Sequence, residues 1–196
     1  MSLKAEKTNR VVFDLLQQQL AANQSAVFLV ISNSMTPLIR VGDRVVITSA
    51  NTAVLTAGDI ILYLNGNSFC MHRLVRIIAD ARTQKFITRG DRLQAFDAPV
   101  NEEKYLGKII FILRENGIID LNQNKFTIFN KAIGKLFMLQ WLLMRAGERF
   151  RKMFLLNSNT LTRLGNKVSQ LLFFWTVASI EYLLIRIKFF ETNENS

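Results

Sequence analysis

The chain has one cysteine and one histidine in 196 residues. Cys70 alone excludes an internal disulfide, and together with His72 it cannot supply the three or four ligands of an ordinary His/Cys zinc site. No metal and no other cofactor is therefore expected. Acidic residues are scarce as well: 15 Asp and Glu against 25 Lys and Arg leave a formal net charge of +10. Such an imbalance calls for an anionic partner, either nucleic acid or an acidic membrane surface. Long apolar runs are missing too. A spanning helix needs about 20 predominantly apolar residues, and the longest stretch, Leu171 to Ile185, is broken by Glu181. A carboxylate at mid-bilayer costs at least about 2.5 kcal/mol. Met1 to Leu20 contains Asp14 and no uninterrupted apolar region, so no secretory signal is expected there.

What remains is enough for a packed core, since 49% of the residues are apolar. Val12, Leu15, Leu16 and Leu20 recur at helical spacing and predict a short amphipathic helix within residues 1–25, packed on the protein or lying on a membrane. From Ala26 the pattern changes to short runs rich in Val, Ile, Leu and Phe: Ala26 to Ile31, Arg44 to Thr48, Asp59 to Leu64, Phe69 to Ile78, Lys85 to Thr88 and Lys108 to Leu113. Gly42-Asp43, Gly58-Asp59, Asn65-Gly66-Asn67, Gly90-Asp91 and Asn116-Gly117 punctuate them. Asn65-Gly66 is a hairpin signal. The fold class expected is mainly β with α: an antiparallel β-barrel or sandwich over residues 26–121, followed by a basic helical extension over residues 130–190. Two helices, Lys131 to Leu156 and Leu161 to Phe189, are expected in that extension.

Positive residues in the last third, among them Lys131, Lys135, Arg145 and Arg149, are threaded between apolar and aromatic blocks rather than gathered on a polar face. That arrangement points to lipid, at the surface rather than across the bilayer, and Trp141, Trp175 and Tyr182 suit an interfacial depth as well as a protein core. Before Ser34 no helix-turn-helix pattern is long enough to occupy a major groove, so nucleic acid is not expected as a partner.

Chemistry enters through Ser34 and the lone His72. A serine hydroxyl is a weak nucleophile until a neighbouring base takes its proton. Cys70, two residues before His72, would share its strand face and could form a Cys/His pair; the plainer reading is a small buried apolar residue. Taken in order, Ser32-Asn33-Ser34-Met35-Thr36-Pro37, Gly42-Asp43-Arg44, Gly58-Asp59-Ile60, His72-Arg73-Leu74-Val75, Thr88-Arg89-Gly90-Asp91 and Gly107-Lys108-Ile109 form a series. This series resembles the type I signal peptidase superfamily, serine endopeptidases that include LexA-like self-cleaving repressors. The resemblance covers about Ala26 to Leu113, with histidine rather than lysine in the place of the base.

The resemblance implies a serine endopeptidase that cleaves a leader or signal-type peptide after small residues. Ser34 would be the nucleophile, His72 the general base and then acid, and the Ser34 N–H with the Ser32 hydroxyl the oxyanion donors. Ser32 could instead be an ordinary strand-end serine satisfying a local backbone group. Two carboxylates could orient the imidazole, Asp97 or Asp91. In the histidine branch the acid follows the Gly-Asp turn at the separation of Asp97, leaving Asp91 as a turn or ion-pair residue facing Arg89 or Arg92. Arg73 would point to the opposite strand face as a structural or lipid-facing cation, while Asp43 and Asp59 read as turn carboxylates. The resemblance also implies an extended peptide or preprotein substrate added as a strand beside the site. A self-cleaving regulator and a non-catalytic membrane-associated scaffold are the alternatives.

Overall fold

The structure, a computed structural model, describes residues 2–22, 25–79, 83–115 and 117–153, together with Leu171, Trp175 and Ser179. Strands β1 (Ala26–Leu29), β2 (Arg44–Thr48), β3 (Ile60–Asn65), β4 (Ser68–Ala79), β5 (Gln84–Arg89), β6 (Val100–Asn101), β7 (Tyr105–Arg114) and β8 (Gly117–Asp120) lie between two helices, α1 (Ser2–Ala21) and α2 (Asn124–Met153). All strand pairs are antiparallel, in the order β1-β2-β7-β3-β4-β5-β6, with β8 beside the second half of β7. The chain is thus mainly antiparallel β with helices. Among the described residues β1 and β6 do not pair with each other, so hydrogen bonds between these two strands do not close the sheet.

Every predicted strand run is present, and the turns explain why. Asn65 pairs with Ser68 across a two-residue loop, Gly66-Asn67, where Gly66 has φ 57° and no side chain to strain. Two strands escaped the sequence pattern. β6 has two residues, too few to show a period, and β8 folds straight back on β7 through Arg114 and Gly117.

One core draws on Val45, Ile60, Leu62, Val75, Ile87 and Ile112 from well-separated strands and on Val30 just after β1, and both helices seal it. On α1 the buried stripe is Phe13, Leu16 and Leu20; Val12 and Leu15 are exposed, so the helix is rotated from its expected phase and packs on protein. α2 begins at Asn124, earlier than expected, and Phe126, Phe129, Ile133 and Phe137 bury one stripe at i, i+3, i+7 and i+11. Asn130 reads as a boundary in sequence because it is polar. It lies inside the helix because its side chain accepts from the buried Arg73.

The opposite sheet face holds a second cluster, Leu55, Ile61, Tyr63, Leu74, Phe86, Val100 and Tyr105. β3 is therefore apolar at successive positions rather than alternating. Where α2 crosses the turn before β3, a Cβ on Gly134 would stand 2.3 Å from the Gly58 nitrogen. A helical Gly→Ala change normally stabilises by about 1 kcal/mol, but here the clash is with backbone. Gly134→Ala is expected to lower stability by at least about 2 kcal/mol, read as a drop of several degrees in the melting temperature; an unchanged or raised melt would refute the close approach.

The expected helix from Leu161 to Phe189 lies outside the described residues apart from Leu171, Trp175 and Ser179. Among the described residues no helix is long and apolar enough to cross a membrane.

Candidate active site

Ser34 sits in a loop joining β1 to β2 and is held from below. Met35, Leu38 and Ile39 are buried in the main core, the Thr36 hydroxyl donates to the Asn33 carbonyl at 2.6 Å, and the Thr36–Pro37 peptide is cis. The loop closes where Val30 N–H donates to the Asp43 carbonyl and Gly42 N–H to the Val30 carbonyl. Asp43 is a turn carboxylate, as its Gly-Asp context predicts: it accepts from Arg40 N–H and, in a two-bonded pair, from Arg114. Asp59 does the same for Thr56 N–H and pairs with Lys108 at 2.7 Å.

His72 stands in the middle of β4, buried, with Ile61 as its partner on β3. Its Nδ1 lies 2.7 Å from Asp97 Oδ2. That oxygen gathers further donors, Thr88 Oγ1 at 2.8 Å and Tyr63 Oη at 3.1 Å, while Asp97 N–H donates to the Thr88 carbonyl at 2.9 Å. Burial alone would raise the Asp97 pKa. The hydrogen bond and charge of His72, with the hydroxyls of Thr88 and Tyr63, outweigh it and hold the carboxyl below its ordinary value. Asp97 is thus an anion in the folded protein. Its stabilising contribution is complete above the unfolded carboxylate value of about 3.9 and is lost as the pH falls through the depressed folded value. An acid titration followed by tryptophan fluorescence should show Asp97→Asn flattening the loss of stability below about pH 4; an unchanged acid limb would contradict the bound carboxylate.

Asp91, the other candidate acid, is engaged elsewhere. It grips Arg73 through both oxygens, at 2.7 Å and 2.6 Å, and neither side chain has any exposure. Arg73 Nη1 donates to the Gly58 carbonyl and to Asn130 Oδ1. Of the readings left open, Asp91 is the ion-pair residue, with Arg73 rather than Arg89 or Arg92 as the partner that grips both its oxygens, and Arg73 is the structural cation rather than a lipid-facing one. Alternation along β4 sends His72 and Arg73 to opposite faces, and only the Arg73 face meets α2. Arg89 behaves similarly. It lies 4.0 Å over the Phe137 ring and donates to Gln140 at 2.5 Å; burial lowers its pKa to about 10, against the Asp91 charge.

The Ser34 loop reaches this strand pair through the turn after β5. Arg92 N–H donates to the Ser34 carbonyl at 2.9 Å, and a Cβ on Gly90 would stand 2.8 Å from that same oxygen. Arg73 pairs with Arg89 at the end of the β4–β5 ladder, and Gly90 opens the turn that follows. The loop backbone carrying Ser34 therefore packs on the turn between β5 and Asp97. With Nδ1 taken by Asp97, the nitrogen left for a reacting proton is Nε2. The described residues hold no Ser34–His72 hydrogen bond; the neighbour of Ser34 Oγ is Ser32 Oγ at 3.2 Å. Nucleophile–base bonds are often long before substrate binds.

Cys70 shares the His72 face, but burial and then the Asp97 charge push its thiol pKa up, so it is the protonated, inert form. Among the described residues no three His, Cys, Asp or Glu side chains are grouped to hold a metal ion. Tyr63 and Thr88 went unmarked in the sequence. Tyr63 lies in the apolar run Ile60–Asn65, and only the register bringing it opposite Cys70 reveals that its hydroxyl reaches His72 Nδ1, at 3.2 Å. Its pKa is driven far up, chiefly by burial, so it remains a phenol that donates. The chain matches no protein-family model and no curated protein sequence.

Proposed function

We propose that this protein is a serine endopeptidase with the signal peptidase-like fold, cutting a leader or signal-type peptide after small residues. The observation that carries the reading is the 2.7 Å contact between the lone imidazole and Asp97, with the Ser34 loop packed on the turn between β5 and Asp97. An ionised carboxylate on Nδ1–H fixes the tautomer that leaves Nε2 free to accept a proton.

In the proposed reaction Ser34 Oγ attacks the scissile carbonyl carbon while His72 Nε2 takes the hydroxyl proton. The Ser34 N–H and the Ser32 hydroxyl, 3.2 Å from Ser34 Oγ, receive the developing oxyanion. His72 then returns the proton to the leaving amine, and the same base activates water to release the acyl group. Among the described residues the outer edge of β1 is unpaired, and Val27, Leu29 and Ile31 form an exposed apolar row leading into Ser32. That edge suits an extended peptide laid down as an added strand.

Peptide substrate and anionic membrane surface are the proposed partners; the formal charge of +10 supports the second. Co-expression with candidate leader peptides, followed by mass spectrometry of the new termini, tests the reading. A cut lost in Ser34→Ala is expected, and a function retained by Ser34→Ala would mark a scaffold instead. Tyr63→Phe removes one donor to Asp97 and is expected to slow cleavage about tenfold while leaving KM unchanged; an undiminished kcat would remove Tyr63 from the site.

A further inference from the structure

α2 is apolar on two sides. The inner side is the buried stripe headed by Phe126 and Phe137. On the outer side Ile128, Leu139, Leu142 and Leu143 are 69, 51, 43 and 49% exposed. Lys131, Lys135 and Arg149 are exposed along the same helix, and at about 100° per residue they fall among those aliphatic residues. Glu148 is the one carboxylate of residues 124–149, and the same rotation puts it on the Phe137 side. The outer side therefore mixes large aliphatics with cations and has no acid.

A second copy of the chain would set these cations against their own kind, which opposes association. A surface both anionic and apolar meets both features at once, and a bilayer interface is such a surface. We propose that the outer face of α2 docks on an anionic lipid bilayer and holds His72 on the side of the sheet turned away from it. The orientation follows from the sheet. Arg73 and Arg89 reach α2 through Asn130 and Gln140, whereas His72, next to Arg73, projects from the opposite face of β4. One sheet layer and one helix, roughly 20 Å together, separate the lipid from the imidazole. The bond to be cut is thus offered from solution.

The orientation rests on Ser34 and His72 being the reacting pair; the docking does not. The full chain should co-sediment with phosphatidylcholine vesicles containing phosphatidylglycerol, more weakly as salt rises, and not with pure phosphatidylcholine. Leu139→Glu with Leu142→Glu, and separately Lys131→Glu with Lys135→Glu, should each weaken binding more than about tenfold, since one cation near such a surface is worth about fivefold. Lys85→Glu, at an exposed position of β5, should change nothing. Equal binding by the variants, or binding to neutral vesicles, overturns the docking, as does a dimer that dissociates in the leucine variant. Vesicle-bound protein should cleave a soluble peptide within about twofold of the free rate; a rate lost on binding overturns the orientation, whereas no cleavage in either state sinks the peptidase reading and leaves the docking intact.

Discussion

Ser34→Ala is expected to reduce cleavage by about 10⁴- to 10⁶-fold while the protein stays folded. The size follows from what the hydroxyl does. In the proposed reaction it is the atom that bonds to the substrate carbonyl, and without it the oxyanion donors and His72 could assist only attack by water. Folding is spared because the loop is anchored by Met35, Leu38 and Ile39 and by the Ser34 carbonyl, none of which the substitution touches. His72→Ala is expected to match it, and the double variant should be little worse than either, because the two groups act as one unit. Steady-state rates and thermal melts of the three variants test this. Additive losses would mean that the two residues do not share a step.

The second large contrast separates the two carboxylates that the sequence left open. Asp97→Asn keeps shape and volume but no longer holds the imidazole in the required tautomer, and a loss of about 10⁴-fold in kcat is expected with a small change in stability. Asp91→Ala should do the reverse. It strands the Arg73 guanidinium in a site with no exposure, held then only by the Gly58 carbonyl and Asn130. Breaking a buried pair from one side costs about 3–5 kcal/mol, a drop in melting temperature of roughly 10 °C or more for a chain of this length. Urea melts beside kinetics distinguish the cases. Activity lost without destabilisation in Asp91→Ala would move the catalytic acid back to the turn.

How much of this was legible in the sequence depends on the range of the interaction. Local signals worked where local chemistry decides, as in the Asn65-Gly66 hairpin and the Gly-Asp turns whose carboxylates cap their own backbone. Alternation correctly sent Arg73 away from His72, but its partners Asp91 and Asn130 come from distant elements and no spacing announces them. For the same reason Asn130 looked like the edge of a helix when it is a ligand inside one. The phase of α1 was misjudged because Val12 and Leu15 extend the apolar stripe beyond what the sheet covers. Tyr63 and Thr88 became visible only through strand register. Ser34, His72 and Asp97 were legible as residue types in a familiar order, whereas the His72–Asp97 contact depends on a sheet register and a turn that the order alone does not describe.

The most direct measurement is digestion of a peptide library carrying small residues at varied positions, read by mass spectrometry with wild type, Ser34→Ala and His72→Ala in parallel. Cuts after small residues that disappear in both variants are the predicted result. A wild type that cuts nothing, or cuts that survive either substitution, would contradict the assignment of Ser34 and His72 as nucleophile and base.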